Sequence, residues 1–195
     1  MPRKIPFLPL QSLLMRRAFW KFFLYKIMRW KIVGTYHHEV PKQMVLAAPH
    51  TSNWDFPLGL ASRSILRADI RYVAKHSLFK FPVGGLLKWM GGIPVKRGAG
   101  GFTQAVIELY NSRDELAVNI APEGTRKRVE HFKTGFWHIA KGAGAAITLV
   151  AFDWKNRTMT WEKPFYPSDD KAADMQKIED YYRGIVGYYP ERSFY

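Results

Sequence analysis

A histidine and an aspartate five residues apart close an apolar run, in Pro49-His50-Thr51-Ser52-Asn53-Trp54-Asp55. An imidazole titrates at about 6.5 when unperturbed, so it can take a proton from a hydroxyl and return it within one turnover. A carboxylate that accepts the proton on one ring nitrogen leaves the other nitrogen free for that work, and it stabilises the imidazolium that forms. On one continuous helix the two side chains would lie about 140° apart round the axis. A histidine in the loop ahead of a helix can instead fold back over the first turn, where Asp55 would stand. The same spacing also fits plain architecture. Ser52 with Asp55 three residues later reads as a capping box, or Asp55 reads as an N-cap with His50 ending a strand.

Two further stretches are suited to anions. Gly91-Gly92-Ile93-Pro94-Val95-Lys96-Arg97-Gly98 is a glycine turn feeding a brief strand that ends in two bases. Glycines let a backbone approach a ligand closely, and Arg97 offers a planar fork that matches phosphate. Ala121-Pro122-Glu123-Gly124-Thr125-Arg126-Lys127-Arg128 follows another apolar run with a Glu-Gly turn and three bases. Such a turn can hold an anion with side chains and backbone N–H groups together. Taken singly, each also reads as a solvated basic loop. Three polar loops that each follow a strand can meet in one crevice, because ligands of open α/β sheets bind beyond the carboxyl ends of the strands.

In this order the three stretches resemble the signature of the lysophospholipid (glycerolipid) acyltransferase family, over about residues 44–153. His50 and Asp55 match its first motif, Gly92 to Arg97 its second, and Pro122 to Arg126 match the Pro-Glu-Gly-Thr-Arg motif in full; Phe132 to Gly135 resembles the stretch downstream. Lys96 stands where an acid is common, Ala121 where Phe is expected, and residues 145–150 lack the usual proline. These departures bear on the acceptor more than on the reaction. The resemblance implies an O-acyltransferase of phospholipid biosynthesis, moving a fatty acyl group from acyl-CoA or acyl carrier protein to a lysophospholipid such as 1-acyl-glycerol-3-phosphate. It implies His50 as general base, Asp55 as the group that orients it, and direct attack on the thioester without an acyl-enzyme. It implies a phosphate site formed by Arg97 and by Arg126 with Glu123, Gly124 and Thr125. Phe56, Leu58 and Trp89 are expected to help shape an acyl tunnel. No cofactor is expected beyond the thioester co-substrate, and no metal: His37, His38, His76, His131 and His138 show no ligand spacing. The alternatives are the same chemistry on a different acceptor lipid, or a non-catalytic basic module that binds a membrane or nucleic acid.

Composition narrows the partners. Thirty Lys and Arg against sixteen Asp and Glu give +14, aromatic residues reach 15%, and the 47% hydrophobic content suits a folded domain. Such a charge calls for an anionic partner, whether nucleic acid, an anionic membrane surface, or phosphorylated and CoA-type substrates. The resemblance implies a membrane surface and a phosphate-bearing lipid, with nucleic acid not expected. There is no cysteine, which excludes disulfides, thiolate metal sites and a Cys nucleophile. No acid precedes Glu39, whereas Arg16, Arg17, Lys21 and Lys26 interleave with Phe19, Trp20, Phe23 and Leu24. Those charges interrupt the apolar stretch too often for a signal peptide or a spanning helix. They describe an amphipathic helix in the headgroup region, or the same helix packed on its own core. The enzyme is therefore expected on the cytoplasmic face of a membrane, peripheral or monotopic.

The elements that must position these loops alternate. Strands are expected near residues 44–48, 70–74, 93–95, 116–120, 146–152 and 159–161, with 34–40 a short strand or connector. Helices are expected near 10–30, 56–66, 82–90, 102–110, 134–141 (capped by Thr134) and 171–188. Alternation at these lengths predicts an α/β domain with a largely parallel central sheet flanked by helices. The expected division is an N-terminal membrane-anchoring helix over 1–34 and a catalytic domain over 35–195.

Overall fold

The computed structural model describes residues 10–95 and 101–194. The chain begins with α1 (Leu10–Lys21), which runs into a π-helical turn (Phe22–Ile27) and then β1 (Lys31–Gly34) and β2 (Lys42–Ala48). Next come α2 (Asp55–Ile65), β3 (Ile70–Lys75), a 3-10 turn (His76–Phe79), α3 (Gly84–Trp89) and β4 (Gly92–Val95). After them follow α4 (Gly101–Asn111), β5 (Leu116–Ile120), α5 (Gly135–Ala143), β6 (Ala146–Asp153), β7 (Thr158–Trp161) and α6 (Lys171–Tyr182).

The strands form one sheet in the order β1-β7-β6-β2-β5-β3-β4. From β6 across to β4 every pairing is parallel, while β7 returns antiparallel to β6 and carries β1 parallel to itself. The expected α/β sheet is therefore largely parallel. Strand β2 lies at its centre, and all but its first residue are buried. A strand covered on both faces reads as an unbroken apolar run, which is why residues 44–48 stood out in the sequence. Alternation then sorts its side chains. Met44, Leu46 and Ala48 join a core with Val118, Ile147, Tyr110, Ile139 and Ile178, whereas Val45 and Ala47 face Leu58, Ala61 and Ile65 of α2.

The buried Gln43 closes the bottom of β2. Its amide donates to the carbonyls of His37 and Val40, and its oxygen accepts from the Thr148 hydroxyl, so residues 35–40 form a connector rather than a strand. The strand in this region is β1, three residues earlier, and Gly34 ends it at φ 78, where any Cβ would collide with the Trp161 carbonyl oxygen.

The N-terminal helix is not a separate attachment. Leu24 and Trp30 are buried in the core beneath the sheet, and β1 hydrogen-bonds to β7, so residues 24–34 pack with the sheet. Two helix ends also differ from expectation. Thr134 precedes α5 without any capping bond from its side chain. Helix α6 stops at Tyr182, because Arg183 is extended and Gly184 takes φ 82, turning the tail back toward the top of the sheet.

Candidate active site

His50 leaves the carboxyl end of β2, and Asp55 is the first residue of α2, so the chain between them is a single tight loop. The His50 Nδ1 and Asp55 Oδ2 lie 3.1 Å apart. That oxygen also accepts the backbone N–H groups of Thr51 at 3.0 Å and Ser52 at 2.9 Å. Asp55 thus does the backward-reaching half of a capping box and holds the imidazole at once. The Ser52 hydroxyl accepts only from Trp54 N–H. The other carboxylate oxygen, Oδ1, accepts the indole N–H of Trp154 at 2.9 Å. Asp55 is 2% exposed, with both oxygens engaged.

With Nδ1–H directed to the carboxylate, Nε2 carries the free lone pair. The Arg126 Nε–H points at it from 3.5 Å, so the basic turn after β5 reaches the imidazole. Beneath the ring, Glu123 accepts the His50 backbone N–H at 2.8 Å. Glu123 is 4% exposed, and its second oxygen has no partner among the described residues. Burial pushes its carboxyl up to about 7, opposed by the His50 N–H it accepts. In the same turn Gly124 takes φ 61, and its carbonyl accepts from Lys133 Nζ. The Thr125 hydroxyl accepts Lys127 N–H. Of the residues expected at the site, His50, Asp55, Glu123 and Arg126 therefore meet, with Gly124 and Thr125 in the turn that carries them. Arg97 and Lys96 lie outside the described residues.

Below the pair a cavity of about 430 Å³ opens between α2 and the sheet. His50, Asp55, Ala121 and Gly124 stand on its lining with Phe56, Gly59, Leu60, Val45, Ala47, Val73, Phe102 and Phe152. Of the three residues expected to shape an acyl tunnel, Phe56 stands on its lining. Leu58 is fully buried in the core, and Trp89 is largely exposed; neither lines the cavity.

Residues outside the three motifs complete the site. Trp154 follows β6, the strand beside β2, and its ring meets Trp30 and Tyr188 edge-on at 4.9 and 4.7 Å. The tail after α6 supports the loop from outside: Trp154 N–H donates to Val186 and Tyr189 N–H to the Thr51 hydroxyl. The Tyr182 hydroxyl donates to the Leu46 carbonyl and accepts from Val150 N–H, tying the two central strands to α6. The rule that directed attention to loops after parallel strands applies equally to Trp154, once β6 is known to neighbour β2. Among the described residues no cluster of three or more His, Asp or Glu could hold a metal ion. No helix among them is long and apolar enough to cross a membrane.

A family model described as Acyltransferase matches residues 31–153. Among solved structures, the crystal structure of the 1-acyl-sn-glycerophosphate (LPA) acyltransferase PlsC from Thermotoga maritima matches with a TM-score of 0.57 at 20% sequence identity. That match covers 87% of this chain and 76% of that one, and it is a likeness of fold. No curated protein matches the sequence.

Proposed function

Because the chain belongs to the acyltransferase family, whose model spans residues 31–153, we propose that it moves a fatty acyl group from acyl-CoA or acyl carrier protein to the hydroxyl of a lysophospholipid such as 1-acyl-glycerol-3-phosphate. The observation that carries this reading is the His50–Asp55 contact at the mouth of an apolar cavity, with a guanidinium beside the ring. The acceptor hydroxyl gives its proton to His50 Nε2 as its oxygen attacks the thioester carbonyl. Asp55 stabilises the imidazolium. When the tetrahedral intermediate collapses, the carbon–sulfur bond breaks and the leaving thiolate takes the proton back from His50. A thioester needs no further activation, so positioning and one base suffice.

The cavity suits the acyl chain, since each methylene moved out of water contributes about 0.8 kcal/mol. Arg126 suits the acceptor's phosphate, and Arg97 is assigned beside it on its sequence position. Glu123 belongs below the imidazole, holding the loop through the His50 N–H, rather than on the anion. No cofactor or metal enters these steps. The enzyme works in phospholipid biosynthesis as a peripheral protein on the cytoplasmic face of a membrane. Phe19, Phe22 and Ile27 support that placement, each more than half exposed beside Lys21 and Lys26.

The test is a mass-spectrometric screen of the purified protein with acyl-CoA and a panel of lysolipids, run beside His50→Ala. The variant should keep its fold and lose about 10²–10⁴ in kcat. A folded His50→Ala protein retaining more than about a tenth of the wild-type rate would remove the base role.

A further inference from the structure

We propose that the β3–β4 crossover, residues 76–90, is a second membrane-docking element that seats the enzyme on an anionic bilayer beside its cavity; this rests on the membrane reading above and extends it to a segment far from the N-terminus. Five large apolar side chains stand on its outer side: Phe81 is 98% exposed, Trp89 62%, Leu78 56%, Leu86 55% and Val83 54%. Its inner side is firmly tied. Arg63 donates to the Met90 carbonyl at 2.8 Å and the Tyr72 hydroxyl to the Leu87 carbonyl at 3.0 Å. Phe79 lies over Gly92, whose added Cβ would stand 2.9 Å from the ring. The apolar groups are thus held outward by a built scaffold, and a concentration of them marks a surface that something covers.

Charge identifies the cover. Residues 70–107 contain no Asp or Glu, while Lys75, Lys80, Lys88, Lys96 and Arg97 fall among them; Arg71 is paired with Asp69. The stretch before Glu39 has the same character, and the fold joins the two: the Arg16 guanidinium lies over the Trp89 ring at 4.9 Å. Two acid-free segments distant in sequence therefore touch where Arg16 meets Trp89. Lysines and arginines pair with headgroup phosphates while aromatic and aliphatic groups enter the acyl boundary. Arg63 and Tyr72, which tether the crossover, also line the cavity. A chain drawn from the bilayer would pass from this face into the cavity with little exposure to water.

The experiment is vesicle sedimentation of the full chain carrying Phe81→Asp with Leu86→Asp, and separately Phe81→Ser, on phosphatidylglycerol-containing and purely zwitterionic vesicles. Phe81 is almost wholly exposed, so the single variant leaves the fold alone. Affinity should fall about ten- to hundredfold in the double variant, while turnover of short-chain, water-soluble substrates stays unchanged. Lys80→Gln with Lys88→Gln should weaken binding to the anionic vesicles alone. Phe19→Asp with Phe22→Asp is the control for the N-terminal segment. Undiminished vesicle binding by both crossover variants, with the N-terminal variant impaired, overturns this proposal and leaves the membrane reading standing. Wild-type protein that does not bind vesicles sinks both. Intact vesicle binding with transfer lost only from acyl carrier protein would assign the face to that protein and overturn the proposal as well.

Discussion

Asp55 accepts hydrogen bonds from four donors, and one of them lies outside every motif. The indole of Trp154 fixes the carboxylate from the side opposite His50, so removing only that N–H should loosen the imidazole without touching substrate. Trp154→Phe keeps an aromatic ring against Trp30 and Tyr188. Its expected effect is a fall in kcat of about tenfold with both KM values unchanged, since a hydrogen bond to a charged group contributes about 1.5–3 kcal/mol. Steady-state kinetics checks it, and an unaltered kcat would show that Trp154 is no part of the machinery. At this scale the sequence was legible where ordered motifs marked residues that the fold brings into contact, as with His50, Asp55 and Arg126. It was silent on Trp154, because nothing in the residues says that β6 lies beside β2. It grouped Glu123 with the basic turn as part of an expected anion site, whereas the side chain is buried and accepts a backbone N–H 73 residues away.

Helix α2 supplies one wall of the cavity, and Gly59 is the gap in that wall. A Cβ added there meets nothing within 4 Å. Gly59→Ala should therefore raise stability by about 0.5–1 kcal/mol, the usual gain for replacing a glycine within a helix. Gly59→Phe should instead fill the cavity and shift preference toward shorter acyl chains. Thermal denaturation reads the first, and competition among acyl-CoA chain lengths reads the second. An unchanged chain-length profile for Gly59→Phe would place the acyl chain elsewhere. Among elements, the buried strands β2, β5 and β6 were readable because continuous apolar runs require cover on both faces. Strand β1 was not. It is a four-residue edge with little burial, and its pairing with β7 depends on a partner more than a hundred residues downstream.

One buried carboxyl gives the stability of the whole molecule a share that depends on pH. Glu123 titrates near 4.5 in an unfolded chain and at about 7 when folded, so between those values the native state binds the extra proton. Its stabilising share is complete below about 4.5 and disappears as pH rises through about 7. Glu123→Gln preserves an acceptor for the His50 N–H and cannot ionise. Wild type should therefore lose melting temperature relative to this variant as pH rises across that interval, which calorimetry over a pH series measures. Parallel curves would mean that Glu123 is ionised throughout. The N-terminal segment also belongs to this scale. Deleting everything before Gly34 would strip Leu24 and Trp30 from the core, so surface substitutions are the sound way to probe membrane contact.

Arg126 has one more consequence. At rest its Nε–H lies 3.5 Å from His50 Nε2, the nitrogen proposed to take the acceptor's proton, where it competes with a passing water molecule for that lone pair. A phosphorylated acceptor would draw the cation away and uncover the nitrogen at the moment a productive nucleophile arrives. The loaded thioester would thus be guarded against wasteful hydrolysis. Arg126→Met should accordingly release free fatty acid from acyl-CoA several-fold faster than wild type when no acceptor is present, even as its transfer rate falls.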